Sequence, residues 1–250
     1  DRGSSTALVL LDLSAAFETV DHSILVHRAR SAGLTHRALD WLISFLSDRT
    51  QSVVMGSFSS PNAALTCGVP QGSSLSPILF NLYIQPLVSC LAKLECRLFN
   101  YADDTQLLFH LVYSVHSQNN TKDVLRFVAG WMSANALRLN PDKTEVIVIN
   151  PKGSPWSDLY WPAELGRCPS PSLVARSLGI RIDSKFSLAQ QISTVCGICV
   201  GLMRRLRKLS PFLSFASLRS VISATILSRL DYGNSLYAGL PSYALVRLQF

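Results

Sequence analysis

Apolar and polar residues alternate along this chain in two rhythms, a period of two in short runs and helical spacing in longer ones. Together they predict an α+β fold. Ala7 to Leu11 is a continuous apolar run ending at Asp12, the mark of a buried central strand. Asp21 is placed to cap a helix running to Gly33, and Thr35 to cap the next. In that second helix Leu39, Leu42, Ile43 and Leu46 share one face. Gln51 to Phe58 alternates as a strand does, and Ser59 to Asn62 has turn chemistry. Ser76 and Pro77 form an N-cap and first-turn pair. They predict a helix through Ile78, Leu79, Leu82 and Tyr83 that Pro86 kinks or breaks.

Leu98 to Phe109 consists of two apolar runs around Asp103 and Asp104, which predicts a β-hairpin with both acids at its tip. Residues 114–122 are polar and predict a loop, after which Val124, Phe127, Val128 and Trp131 mark an amphipathic helix. Leu137 to Leu139, the turn Asn140 to Lys143, and Val146 to Ile149 predict a second hairpin. From Asn150 to Pro171 the composition shifts to Pro, Ser and Gly, predicting a loop or linker. Ser177 to Asp183 predicts one more strand, and helices are expected over 187–208, over 214–230 and from Pro241.

At 250 residues the chain is long enough for one large domain or two small ones. Its mean hydropathy of +0.25 is high for a freestanding soluble enzyme and predicts apolar surface that something else covers. No apolar run reaches the roughly 18 residues of a membrane span, and no basic start followed by an apolar run marks a secretory signal. The net charge of +7 favours a polyanionic partner, nucleic acid before anionic membrane. Of the six cysteines only Cys196 and Cys199 form a tight pair, and no second pair or His cluster completes a zinc site. With Val195, Ile198 and Val200 they predict an apolar helix face, and the cysteines as a set are expected to be buried free thiols in a reducing compartment.

Candidate chemistry centres on Asp103 and Asp104. Adjacent carboxylates raise each other's pKa unless a cation sits between them, and oxygen-rich sites suit Mg²⁺; a solvated acidic turn is the plainer reading of the pair alone. Asp12, an acid at the end of a buried strand, is costly unless paired or metal-bound, which makes it a candidate third ligand. Phe17, five positions on, is also compatible with ordinary core packing. Gly68 to Pro77 places two glycines and small hydroxyls around Gln71, so a ligand can approach the backbone closely. Arg204, Arg205, Arg207 and Lys208 form a phosphate-binding candidate or a solvated helix end.

Leu11-Asp12-Leu13-Ser14-Ala15-Ala16-Phe17, then Gly68-Val69-Pro70-Gln71-Gly72, then Tyr101-Ala102-Asp103-Asp104 resemble the ordered core motifs of reverse transcriptases. The likeness is to those of non-LTR retrotransposons, the long interspersed elements. Asn140-Pro141-Asp142-Lys143 is similar to the family's next motif, Ser177-Leu178-Gly179 to its primer grip, and Ser228 to Asn234 to part of its thumb. Glu18 stands where the family usually has Asp. The resemblance implies a polymerase palm at 1–150, mostly antiparallel sheet with helices on one face, and a linker at 151–171. A primer-grip strand region at 172–186 and an α-helical thumb from 187 to 250 follow. It also implies that the fingers are mostly absent and the thumb cut short, so that residues 1–250 alone are expected to be poorly soluble and nearly inactive.

The same resemblance implies DNA synthesis from deoxynucleoside triphosphates on an RNA template and DNA primer, catalysed by two Mg²⁺ ions, with Mn²⁺ as a substitute. Asp12 and Asp103 are the expected bridging ligands, with Asp104 supporting and the Leu13 carbonyl as a backbone ligand. Phe17 would exclude a 2′-hydroxyl, Gln71 and Gly72 would line the nucleotide, and Lys143 would assist the leaving pyrophosphate. The Lys143 side chain is equally consistent with a solvated turn. Fingers and endonuclease regions of the same polyprotein are implied partners, in an intracellular ribonucleoprotein of cytoplasm and nucleus, with no membrane and no secretion. Two other readings are an inactive palm-fold remnant that only binds nucleic acid and an RNA-directed RNA polymerase. The aromatic at Phe17 argues against the latter.

Overall fold

The computed structural model describes residues 5–94, 96–111, 115–149, 161–162, 165, 169 and 172–248, with side chains left out at 115–119. The linker expected at 151–171 falls almost wholly outside them. The chain divides into two compact units: among the described residues one takes those up to Val146 with 161–162, 165 and 169, and the other takes 147–149 and those from Ser172 onward.

In the first unit the apolar run at the start forms β1 (Ser5–Leu11), followed after Asp12 by β2 (Leu13–Ser14). Helix α1 (His22–Ser31) begins where Asp21 accepts a hydrogen bond from the Ile24 amide, as the sequence predicts. Helix α2 (His36–Leu46) starts after Thr35, whose side chain makes no capping bond. Its buried stripe is Leu39, Leu42 and Leu46, while Ile43 lies at the stripe's exposed edge. The strand expected over Gln51–Phe58 is instead a nested hairpin of two-residue strands: β3 (Thr50–Gln51), β4 (Val54–Met55), β5 (Phe58–Ser59) and β6 (Ala63–Ala64). β4 pairs with β5 inside the β3–β6 pair. Alternation alone does not reveal a turn at Gly56–Ser57. Val54, Met55 and Phe58 at its tip are all more than two-thirds exposed, part of the apolar surface that the hydropathy anticipates.

Helix α3 (Ser76–Leu91) runs through Pro86, so of the two expected effects the proline does not break it. Burial of Tyr83 and Ile84 before the proline and of Leu87 and Leu91 after it offsets the one lost backbone bond. Ser76 is inside the helix rather than capping it, because its hydroxyl donates to the Pro70 carbonyl. Strands β7 (Arg97–Tyr101) and β8 (Asp104–Leu111) form the predicted acid-tipped hairpin. Helix α4 (Val115–Ala134) already begins within the stretch expected to be a loop, since surface polarity does not oppose a helix whose later turns bury Val124, Leu125, Val128 and Met132. Phe127 is partly exposed.

β9 (Arg138–Leu139) and β10 (Glu145–Ile149) do not pair with each other as the pattern suggests. β9 joins β2, and β10 joins β1 to complete a sheet of order β10-β1-β8-β7. β1, β8 and β7 are antiparallel neighbours. On β8 the side chains alternate strictly. Thr105, Leu107, Phe109 and Leu111 are buried, while Asp104 and His110 are exposed. Helix α3 packs along β7 and α4 along β8. Arg28 locks α1 to both helices: its guanidinium lies 4.5 Å from the Tyr83 ring centre and 5.1 Å from that of Trp131, and it donates to Asn135 Oδ1.

The second unit opens with a hairpin, β11 (Val174–Ser177) and β12 (Ile180–Asp183), where the pattern predicts one strand; Leu178–Gly179 is its turn. Helices α5 (Ala189–Leu209) and α6 (Phe215–Ile222) follow. The latter continues through a π-type turn at Ser223–Leu227 into α7 (Ser228–Asp231), and α8 (Ser242–Leu245) starts after Pro241 as expected. Buried Val195, Cys199 and Ile226 hold α5 against this run, but Ile198 and Val200 are outside that face. Nor are the thiols uniformly buried. Five described cysteines are free, with Cys67 and Cys90 exposed, Cys196 partly so, and Cys96 pushed up to about 11 by burial. Among the described residues no helix is long and apolar enough to cross a membrane.

Candidate active site

Strand register assembles the acids. Leu11 is opposite Thr105 in the last pair of the β1–β8 ladder; Asp12 directly follows the one and Asp104 directly precedes the other. On its other side Asp104 pairs with Tyr101, closing a hairpin whose turn is Ala102–Asp103. Asp12 thus lies just past the end of β1 and Asp104 at the start of β8, at one end of the sheet, with Asp103 in the turn before Asp104. Ala102 holds φ at +53°, a costly conformation for a residue with a Cβ.

The electrostatics follow from this placement. Burial, then the Asp103 and Asp12 carboxylates, push Asp104 above the ordinary carboxylate range. Asp12 Oδ2 is buried and meets no hydrogen-bond donor. A buried, unpartnered carboxylate oxygen on a side chain that repels a neighbouring acid is a poor arrangement for the protein alone, and one that a divalent cation suits. As they stand, no group of three or more Asp, Glu, His or Cys side chains among the described residues is close enough together to enclose an ion. The acids are brought into one electrostatic neighbourhood rather than into a closed cage.

Two further segments are tied to the strand that carries Asp12. The Asn140 amide donates to the Asp12 carbonyl at 2.9 Å, and the Asn140 carbonyl in turn accepts from the Lys143 and Thr144 amides and the Thr144 hydroxyl. Lys143 therefore sits on a turn anchored directly to Asp12, with its side chain exposed. Leu13 is buried in the β2–β9 pair.

Phe17 stands at the end of a turn that starts with Ala15 at φ +51°, and its ring tilts against Phe80 of α3 with centres 5.2 Å apart. The glycine-rich loop docks on this turn. Val69 donates to the Phe17 carbonyl at 2.7 Å, Gly68 donates to Val20 at 2.8 Å, and the His22 ring hydrogen-bonds to the Gly68 carbonyl at 2.8 Å. Gln71 Nε2 donates to Glu18 Oε1 at 3.2 Å, and both side chains are exposed. Gly68 allows the approach, since a Cβ there would come within 2.8 Å of the Glu18 carbonyl oxygen. Gly72 is also exposed.

The structure therefore brings together Asp12, Asp103 and Asp104, places Lys143 on a turn bonded to Asp12, and joins Phe17 to the Gln71 loop. Arg204, Arg205, Arg207 and Lys208 belong to the second unit, all exposed near the end of α5. Sequence reasoning missed Glu18, His22 and Asn140 as the groups that hold these pieces. Their partners lie 46 to 128 positions away, beyond any local pattern. The one available signal is that Glu18 directly follows Phe17, at a position where the resemblance leads one to expect Asp.

Relatives with known identities match this architecture. The chain is 29% identical over 221 residues to the probable RNA-directed DNA polymerase from transposon BS of Drosophila melanogaster, covering 85% of this chain and 24% of the relative. It is 25% identical over 200 residues to the RNA-directed DNA polymerase from mobile element jockey of the same organism, covering 74% of the chain and 20% of the relative. With the Pol polyprotein of the retrotransposable element R2 of Popillia japonica it shares 27% over 152 residues, 57% of the chain and 24% of the relative. The chain thus spans about a quarter or less of these relatives. Apo telomerase from Candida tropicalis superposes on 98% of the chain and 45% of its own at a TM-score of 0.52 with 13% identity, a likeness of fold that includes the polymerase palm. Residues 1–182 match the family described as "Reverse transcriptase (RNA-dependent DNA polymerase)". The chain belongs to that family, and the relatives just described are polymerases of non-LTR retrotransposons.

Proposed function

We propose that this chain carries the catalytic centre of an RNA-directed DNA polymerase that extends a DNA primer on an RNA template with deoxynucleoside triphosphates. One observation carries the reading: Asp12 follows the last pair of the β1–β8 ladder and Asp104 precedes it, close enough for their carboxylates to repel, with Asp12 Oδ2 buried and free of any donor. Asp12 and Asp103 would hold two Mg²⁺ ions, with Asp104 and the Leu13 carbonyl in support, and the metal when bound would supply charge neutralisation at the phosphates and a lowered pKa at the attacking hydroxyl.

The chain's own groups do the positioning. Phe17, backed by Phe80, presents a rigid aromatic wall to the sugar and leaves no room for a 2′-hydroxyl. Gln71 is held by Glu18 at the entrance of the nucleotide site, and Gly72 leaves the backbone open to the template side. Lys143 brings a cation to the leaving pyrophosphate. In the second unit Arg204, Arg205, Arg207 and Lys208 contact phosphates of the template–primer duplex. The enzyme works with fingers and endonuclease regions of the same polyprotein, inside the cell, as a ribonucleoprotein of cytoplasm and nucleus.

The test is template-dependent incorporation by a polyprotein that includes this chain, comparing deoxy- and ribonucleotides on RNA. Incorporation of deoxynucleotides with exclusion of ribonucleotides is expected. Binding of the duplex without synthesis would leave a palm-fold binding protein in place of a polymerase.

A further inference from the structure

Asp104 of the β7–β8 hairpin leaves the sheet on one side, and a pair of polar side chains ties down the turn from the other. Asn100 and Thr105 are cross-strand partners one step inside the closing pair Tyr101–Asp104. By the two-residue period of a strand, their side chains leave the sheet on the face opposite Asp104. Thr105 is only 1% exposed, among the core side chains Leu107 and Phe109 of the same strand. Its hydroxyl donates to Asn100 Oδ1 at 2.8 Å, and Asn100 Nδ2 donates to the Ala102 carbonyl at 2.9 Å. Two hydrogen bonds in series thus run from the buried face of β8, across the ladder, to the backbone of the turn.

The turn needs such a tether. Two-residue hairpin loops with positive φ ordinarily use Gly or Asn, whereas here Ala102 holds φ +53°. A conformation of that kind persists only where the surroundings impose it. The Asn100 amide grips the carbonyl of that very residue, and Asp103 and Asp104 follow directly.

We propose that Asn100 and Thr105 are positioning residues for the hairpin acids, a buried latch that fixes the turn and with it the Asp103 and Asp104 carboxylates relative to Asp12. The inference rests on the metal-site reading above, but only its metal readout depends on that reading. Loss of the latch leaves every carboxylate in the chain and loosens the geometry in which they share a cation.

Thr105→Val keeps the shape and removes the hydroxyl, whereas Thr105→Ser keeps the hydroxyl. Both are made in a polyprotein that includes this chain and compared with its unsubstituted form by amide hydrogen exchange at residues 101–104, by Mn²⁺ titration read by electron paramagnetic resonance, and by thermal melting. For Thr105→Val, exchange at 101–104 is expected to rise about tenfold relative to amides of α1, and Mn²⁺ affinity to fall about tenfold, with both restored in Thr105→Ser. Asn100→Ala, at a less buried position, should move both readouts the same way and serves if Thr105→Val does not fold. Variants that melt lower but keep unsubstituted exchange at 101–104 and unsubstituted Mn²⁺ affinity would overturn the proposal and leave a merely structural polar pair. If Asp12→Asn likewise leaves Mn²⁺ binding unchanged, the metal reading fails, and exchange at 101–104 alone decides the latch.

Discussion

Gly68 and Gly72 flank Gln71 and both hold positive φ, +86° and +83°, yet they should respond very differently to alanine. At Gly72 a Cβ would meet nothing within 4 Å, so the cost is that of the backbone conformation alone, about 1–2 kcal/mol. At Gly68 the same conformational cost applies. In addition the new Cβ would stand 2.8 Å from the Glu18 carbonyl oxygen, 3.0 Å from its Cα and 3.1 Å from its carbonyl carbon. All three are backbone atoms, which cannot rotate away, so the loop must lift from the turn at a further cost of about 1–3 kcal/mol. Lifting it also breaks the Val69–Phe17 and Gly68–Val20 hydrogen bonds and carries Gln71 away from Glu18. Urea unfolding should therefore show Gly68→Ala less stable than Gly72→Ala by about 1–3 kcal/mol. Primer extension should show a raised KM for deoxynucleotides in Gly68→Ala at temperatures where it remains folded. Equal destabilisation by the two substitutions would refute the claim that close packing at Gly68 seats the nucleotide loop.

Three further expectations rest on separate parts of the molecule. Phe17→Val should open space at the sugar and narrow the discrimination against ribonucleotides by roughly 10–200-fold; an active variant with an unchanged ratio would make Phe17 simply a partner for Phe80. Replacing Arg204, Arg205, Arg207 and Lys208 with Ala should flatten the salt dependence of RNA–DNA duplex binding, each lost phosphate contact lowering the log–log slope by about 0.7–0.9, and an identical slope would place these cations in solvent. Asp104, raised by burial and by its acidic neighbours, binds its proton more tightly folded than unfolded, so its ionisation costs stability as pH rises upward from the ordinary 3.8. Asp104→Asn should then raise the metal-free melting temperature at pH 7 slightly, the group being exposed, and flatten the decline as pH rises from 3.8. A lower melting temperature would contradict the repulsion.

The features legible in the sequence are local ones. The alternation from Leu98 to Phe109 specifies a hairpin and which side of it is buried, because a half-buried strand needs a period of two. Asp21 announces the start of α1 through its capping chemistry. Pairings between distant segments leave no such mark. Arg138–Leu139 resembles the first arm of a hairpin with Val146 to Ile149, since proximity in sequence favours local pairing, yet it completes β2 more than 120 positions earlier. The helix through Pro86 defies propensity because core burial on both sides outweighs one missing bond. At the site, motif resemblance names the acids and Phe17. Asn100, Thr105 and Asn140, which hold the hairpin turn and the Lys143 turn in place, carry no chemistry that would single them out by residue type alone.

The central claim is that Asp12 and the hairpin acids form a metal-dependent centre for nucleotidyl transfer. Its most direct test is primer extension on an RNA template by a polyprotein that includes this chain, with Asp12→Asn measured beside the unsubstituted enzyme in Mg²⁺. The substitution keeps the size of the side chain and leaves the Asn140 amide bond to the residue 12 carbonyl intact, so the fold should persist, as a thermal melt would verify. Extension should fall by at least about a thousandfold, in keeping with loss of the electrostatic stabilisation that dominates phosphoryl-type transfer. Near-normal extension by a folded Asp12→Asn enzyme would contradict the account.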